Sequence, residues 1–398
     1  MSHTSHRGIV VYCGILLSIS AFSIDITLPF FDLMAADFGS SLPSIRSTVT
    51  VYIVCLGLGQ LLYGPLADRF GRKPALAIGL LFFLFGSVLA MFADSLNVVL
   101  AGRVLQGLGG AAAPVVARAI LRDLFSGAAL ARNMAIAVGI FSIGPLVGPL
   151  LGAALVSVGG SWRFVFGGMA VYVIGLLLVL IRLPETLPGR EPDALSPGIL
   201  LANGKRVVRE PQSRQFLMIN AIMLTSMILI VSIMPIIYIR EFGVSGTLFA
   251  LLFAVHALGI ILGQFLNHRL IARIGVVSAA IYAAWVTTTA GLLIVFFSLS
   301  GWMNPYLLSA LVTLFAVGFL CVMSNTVSMI LAPHGEIAGF TSSFLGATAQ
   351  MFAGFAAWLL GWVIAANLLL WGLSLAGISA IVLLMLYRWH LYYEDTVR

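Results

Sequence analysis

Twelve apolar runs, each long enough to cross a bilayer, follow one another along this 398-residue chain, near residues 8–35, 46–66, 75–93, 97–122, 130–157, 163–183, 214–240, 246–267, 275–298, 304–331, 337–364 and 368–388. A hydrocarbon core about 30 Å thick takes about 20 apolar residues as a helix. Lipid gives backbone N–H and C=O groups no partner, so a spanning segment must satisfy its own as a helix or belong to a closed barrel. The alternating pattern of barrel strands is absent from the runs. The expectation is an all-α membrane protein of twelve transmembrane helices. Charged residues make up 9% of the chain, against about a quarter in a soluble domain. Its 14 acidic and 21 basic side chains are too few to coat a water-soluble globule of this size.

Lys and Arg placement sets the expected orientation, because cytoplasmic loops carry their excess. With both ends of the chain on one side, only Arg46, Arg163 and Arg240 fall opposite and Arg103 falls within a run; the rest of the 21 share the terminal side. Both termini are therefore expected in the cytoplasm. The first run, preceded only by Arg7 among Lys and Arg, continues past any cleavage site and reads as a retained helix.

The longest polar stretch, 184–213, carries Pro184, Pro188, Pro192 and Pro197 and separates residues 1–183 from 214–398, six runs in each. The halves echo one another: Asp68-Arg69-Phe70-Gly71 after the second run is answered by Ala272-Arg273-Ile274-Gly275 after the eighth. Duplicated bundles, here two pseudo-symmetric sets of six helices with a linker between, are the architecture of transporters that rock about a central site.

Other classes find no support. The basic residues sit in short loops without interleaved aromatics, so no nucleic-acid partner is expected. Cys13, Cys55 and Cys321 lie inside apolar runs without metal-ligand spacing. No phosphate loop, zinc-protease helix or nucleophile–base set appears, so neither an enzyme nor a cofactor or metal is expected. Gly107-Leu108-Gly109-Gly110-Ala111-Ala112 fits the dinucleotide pattern G-x-G-x-x-A. Without a preceding strand it reads as a close-packing helix face.

The second run is followed by Gly64-Pro65-Leu66-Ala67-Asp68-Arg69-Phe70-Gly71-Arg72-Lys73-Pro74. Gly64 and Gly71 permit tight turns, and Asp68 is placed to pair with Arg72 or with Arg122 and Asp123 at the end of the fourth run, a network suited to latching helix ends. This loop resembles the signature loop of the major facilitator superfamily. Arg103-Val104-Leu105-Gln106-Gly107 and Gly144-Pro145-Leu146-Val147-Gly148-Pro149-Leu150-Leu151-Gly152 are similar to segments of its twelve-helix drug:proton antiporters. Ala117-Arg118-Ala119-Ile120-Leu121-Arg122-Asp123 and Asp25-Ile26-Thr27-Leu28-Pro29 resemble the bicyclomycin and chloramphenicol resistance (Bcr/CflA) branch. The resemblance implies the major facilitator fold and proton-coupled export of drugs or other small amphipathic molecules by alternating access. It also implies a bacterial inner-membrane location, with substrate, protons and lipid as partners of a single functional chain.

Spacing places Gly144, Gly148 and Gly152 on one helix face, where absent side chains let another helix approach. Pro145 and Pro149 remove donors and favour a bend. Within the apolar depth the ionisable residues are few, and each costs about 2.5–3.5 kcal/mol at a helix centre. Asp25 lies about 25 Å along the first run and Arg103 about 9 Å from the outer end of the fourth, comparable depths that allow contact directly or through water. Asp25 and Arg103 are the proton-coupling candidates; Phe22, Asp25, Tyr52, Arg103, Gln106 and Tyr238 are the substrate-binding candidates. His256, the only histidine inside a run, reads as a core histidine. The first run holds no second deep carboxylate, so neutral or anionic cargo is as acceptable as cationic. A proton-coupled carrier of a sugar, amino acid or siderophore, or a non-transporting receptor or scaffold, are the alternatives.

Overall fold

The computed structural model describes residues 6–141, 143–364 and 367–393. The described residues are almost wholly helical and contain no strand. Ten stretches are long and apolar enough to cross a membrane. One of them, Pro305–Ile364, runs for 60 residues, about 90 Å as a straight helix and three bilayer cores long. It is therefore two spans, α14 (Pro305–Leu331) and α15 (Ala338–Ile364), turned by the 3₁₀ segment Ala332–Ile337. The predicted fifth span is covered by two shorter helices, α7 (Gly127–Phe141) and α8 (Ile143–Gly159). The described helices thus account for all twelve apolar runs.

Several expected continuous spans are broken. The first is α1 (His6–Asp25), a 3₁₀ turn at Leu28–Phe30 and α2 (Phe31–Phe38). The fourth divides into α5 (Leu96–Gly110) and α6 (Ala112–Leu124); Pro114 cannot donate to the carbonyl of Gly110, so the ladder is interrupted just there. The seventh, α11 (Pro211–Ile236), ends one residue after an internal Pro235 and continues as a π-turn over Ile237–Glu241. The polar stretch between the two sets of spans holds a further helix, α10 (Pro197–Arg209).

Two compact units are present: Met1–Arg206 with Ile337–Met351, and Val207–Glu336 with Phe352–Arg398. In the first, α3 (Leu42–Phe70) and α4 (Arg72–Met91) pack along α5, α4 also along α9 (Arg163–Arg182), and α1 along α6, α7 and α8. Tyr52, Phe83, Arg103 and Phe166 are fully buried among them. The Gly107–Ala112 segment is the close-packing face expected. A Cβ on Gly107 would lie 2.5 Å from the Tyr52 carbonyl oxygen, and one on Gly109 2.5 Å from the Phe83 nitrogen. In the second unit α13 (Val276–Ser300) lies against α14 and α16 (Leu368–Tyr393), and α14 also against α11 and α12 (Gly246–Ile274). Trp371, Phe249, Phe253 and Phe315 form that core.

Candidate functional site

Asp25 is the last residue of α1. Beyond it the backbone turns, and Thr27 N–H donates to Ile24 O at 3.2 Å. In an unbroken helix that N–H would serve Ser23 O, so the turn frees a buried carbonyl. Arg103, 1% exposed on α5, fills the gap. One terminal nitrogen donates to Ser23 O at 3.0 Å and to Gln106 Oε1 at 3.1 Å, the other to Thr27 Oγ1 at 3.0 Å. Its guanidinium carbon sits 5.0 Å from the Phe166 ring centroid and 5.6 Å from that of Tyr52. Gln106 is fixed in turn, its Nε2 donating to Ser87 Oγ at 2.8 Å. Of the two contacts left open by the sequence, direct pairing of Asp25 with Arg103 is not formed among the described residues; the terminal nitrogens of the guanidinium go to one backbone carbonyl and two side-chain oxygens instead.

Asp25 is buried, 4% exposed. Among the described residues no hydrogen bond or ion pair reaches its carboxylate. The glycine face of α8 lies against it: a Cβ on Gly148 would stand 3.3 Å from Asp25 Cβ, and one on Gly144 3.3 Å from Ser18 Cβ, while Gly152 meets the backbone of Ile26. Pro149 lies inside α8; the side chain of Pro145 lies outside the described residues. Phe22 packs on Tyr172, ring centroids 5.2 Å apart. Phe22, Asp25, Tyr52, Arg103 and Gln106 all belong to the first unit. Tyr238 belongs to the second, where its hydroxyl pairs with Ser309 Oγ at 2.7 Å and its ring meets Phe242 and Phe249. His256 is buried with Nδ1 3.3 Å from Val312 O, while Nε2 meets no partner among the described residues. Among the described residues no cluster of His, Cys, Asp or Glu is suited to a metal.

A second polar assembly forms where α3 turns into α4. Gly71 has φ +112, a backbone conformation that a side chain strains. Arg72 bridges two acids, Asp68 one turn back and Asp123 on α6, the latter at 2.9 Å. Asp68 therefore pairs with Arg72, not with Arg122. The Arg122 guanidinium lies over Gly339 at the start of α15, where a Cβ would stand 3.0 Å from it. Arg69 covers the Phe70 ring at 5.3 Å, and Gly64 faces Ser343. Arg118 reaches Ser342 Oγ at 3.3 Å, and Gln60 reaches Gln350 at 3.4 Å.

Sequence reasoning missed Glu185 here. Its carboxylate accepts the backbone N–H groups of Arg72 at 2.9 Å and Lys73 at 3.1 Å, capping α4, and those of Thr186 and Leu187. Lys73 Nζ answers by donating to Ile181 O and Leu183 O at the end of α9. Partial burial pushes the Glu185 carboxyl up, but the four N–H donors outweigh it and hold it below the usual carboxylate range. The available signal was Pro184-Glu185-Thr186 directly after an apolar run, an acid within reach of a helix start.

The family model for the Major Facilitator Superfamily matches residues 13–227, more than half of the chain. The chain belongs to this superfamily. It is a multi-pass membrane protein of a transporter family. A bicyclomycin resistance protein homolog of Haemophilus influenzae is 27% identical over 85% of this chain and 84% of its own length. A chloramphenicol resistance protein of Pseudomonas aeruginosa is 28% identical over 81% of this chain and 74% of its own. The superfamily member is thus similar, over most of its length, to relatives named for resistance to bicyclomycin and chloramphenicol. The xylose transporter XylE of E. coli, in a partially occluded inward-open conformation, shares the fold with a TM-score of 0.77, 12% identity and coverage of 96% of this chain and 97% of that one.

Proposed function

We propose that this superfamily member exports drugs or other small amphipathic molecules in exchange for protons. Asp25 binds a proton from the outer side and gives it up to the cytoplasm, and substrate moves in the opposite sense between those steps. The reading places the protein in a bacterial inner membrane with both termini cytoplasmic. It treats 1–183 and 214–398 as two six-helix bundles joined by 184–213 that work as a monomer. No cofactor or catalytic step is involved. The observation that carries it is a buried carboxylate at a helix break that no ion pair reaches among the described residues, beside an arginine whose terminal nitrogens are taken up by Ser23 O, Gln106 and Thr27. Such an acid is free to take or lose a proton when water reaches it, and intramembrane carboxylates serve proton pathways. Proton entry supplies about 2.3 kcal/mol per 100 mV for each net charge moved.

The test is a substrate panel, including phenicols and lipophilic cations, on proteoliposomes with a trapped pH dye. Wild-type protein moves protons when an accepted substrate is added, and Asp25→Asn does not. Uphill export by Asp25→Asn driven by a pH gradient overturns the assignment of Asp25 as carrier.

A further inference from the structure

Beyond its break the first span is tied down a second time. α2 has eight residues, too few for a helix to hold a direction by itself. It lies along α3, with Phe31 and Met34 buried, and its far end is fixed by Asp37. One carboxylate oxygen of Asp37 accepts from Trp162 Nε1 at 3.0 Å and from a terminal nitrogen of Arg163 at 2.6 Å. The other terminal nitrogen of Arg163 donates to Ala93 O at 2.8 Å, just past the end of α4. The Asp37 and Arg163 side chains are 40% and 32% exposed, and an exposed ion pair adds little. Trp162 is 4% exposed. Its N–H has almost no water to turn to, so leaving that donor unpaired is the larger cost.

From Trp162 the contacts run inward. Its ring meets that of Phe166 edge to face, centroids 5.9 Å apart. Phe166 is fully buried, its ring centroid 5.0 Å from the Arg103 guanidinium carbon, and Arg103 holds Ser23 O at the break. Ser23 and Asp37 are thus joined twice, once along the chain and once through Trp162, Phe166 and Arg103. In a closed circuit neither end moves alone. α2 swings about the break only if the Trp162 N–H is released or Arg103 gives up an acceptor.

We propose that Asp37 is a positioning residue: by fixing Trp162 it holds Phe166 and Arg103 in place, so that Arg103 serves the Ser23 carbonyl and stays off the Asp25 carboxylate. The consequence for transport rests on Asp25 as proton carrier; the placement of Arg103 does not.

Leu28, fully buried at the break, is changed to Cys in a Cys55→Ser background, and the full-length protein in detergent is labelled with a water-soluble maleimide. The same protein without Leu28→Cys sets the baseline. Asp37→Ala, which strands the Trp162 N–H, is expected to raise the labelling rate at position 28 at least about tenfold. Asp37→Asn keeps an oxygen for that N–H and Arg163→Gln leaves the bond intact, so both are expected within about twofold of the parent. In an Arg103→Lys background the circuit is already open, and Asp37→Ala is expected to add less than about twofold, the non-additivity that two linked residues show. Labelling unchanged by Asp37→Ala overturns the proposal, and so do effects of Asp37→Ala and Arg103→Lys that simply multiply. In proteoliposomes Asp37→Ala is expected to lower substrate-driven proton movement as Arg103→Lys does. Raised labelling with proton movement at the wild-type rate keeps the placement of Arg103 and counts against Asp25 as the carrier.

Discussion

Arg103 behaves as a backbone cap before it behaves as a charge. Its fork reaches Ser23 O, Thr27 Oγ1 and Gln106 Oε1 together, a geometry that an ammonium on a flexible stem does not reproduce. Arg103→Gln strands the buried Ser23 carbonyl, which costs about 1–3 kcal/mol, so the melting temperature in detergent is expected to fall. Arg103→Lys keeps the charge yet is expected to lower transport at least about tenfold, the equivalent of 1.4 kcal/mol. Transport by Arg103→Lys at the wild-type rate shows that charge alone is required. Gly148 makes the complementary case. A Cβ there already stands 3.3 Å from Asp25 Cβ, so Gly148→Leu forces α8 away from the carboxylate. Proton-coupled transport is expected to be lost while insertion into the membrane is kept, which transport assays and surface-expression measurements separate.

At the level of elements, the join between α3, α4 and the chain leaving α9 is a mutual cap. Glu185 closes the N-terminus of α4 and Lys73 the C-terminus of α9. Gly71 is required twice, by its φ and because a Cβ would stand 2.5 Å from Glu185 Oε2. Gly71→Ala is expected to cost about 1–3 kcal/mol and to lower the unfolding midpoint. The pH dependence follows from the depressed Glu185 carboxyl. A group whose pKa is lower folded than unfolded adds stability that is fully present above the unfolded value, about 4.3 for Glu. That stability is lost as pH falls through the folded value. Thermal unfolding across acidic pH should show wild type losing this increment on acidification, while Glu185→Gln, lacking it at neutral pH, changes less. Equal slopes for the two proteins remove Glu185 from the acid response. The loop between α3 and α4 was legible because its glycines and charges are contiguous. Glu185 was not, because it lies 114 positions after Gly71 and capping is blind to sequence distance.

On the scale of the molecule, the first half of α15 belongs to the same compact unit as α3 and α6. A Cβ at Gly64 would stand 3.8 Å from Ser343 Cβ, the mean spacing across a disulfide. Gly64→Cys with Ser343→Cys is expected to form an intramolecular bridge on mild oxidation, read as a mobility shift after cleavage between positions 64 and 343. If alternating access separates these segments, the bridge arrests transport and reduction restores it. Undiminished transport by the bridged protein shows that α15 and α3 stay together through the cycle.

The apolar runs determined by themselves that the chain is a bundle of twelve membrane helices. Lipid provides no partner for an open backbone and water no home for so much apolar surface, so that conclusion needs no neighbours. Asp25 and Arg103 were conspicuous for the same reason, as charges where charge is costly. Only the tertiary structure decided what each does with its partners. The arginine had several acceptors within reach, and the outcome depended on a carbonyl that exists as an acceptor only because α1 breaks at Asp25. The separate hydrogen bonding of Tyr238 in the second unit and the glycine face of α8 against Asp25 likewise depend on packing in three dimensions. Sequence spacing defines a helix face but not what it meets.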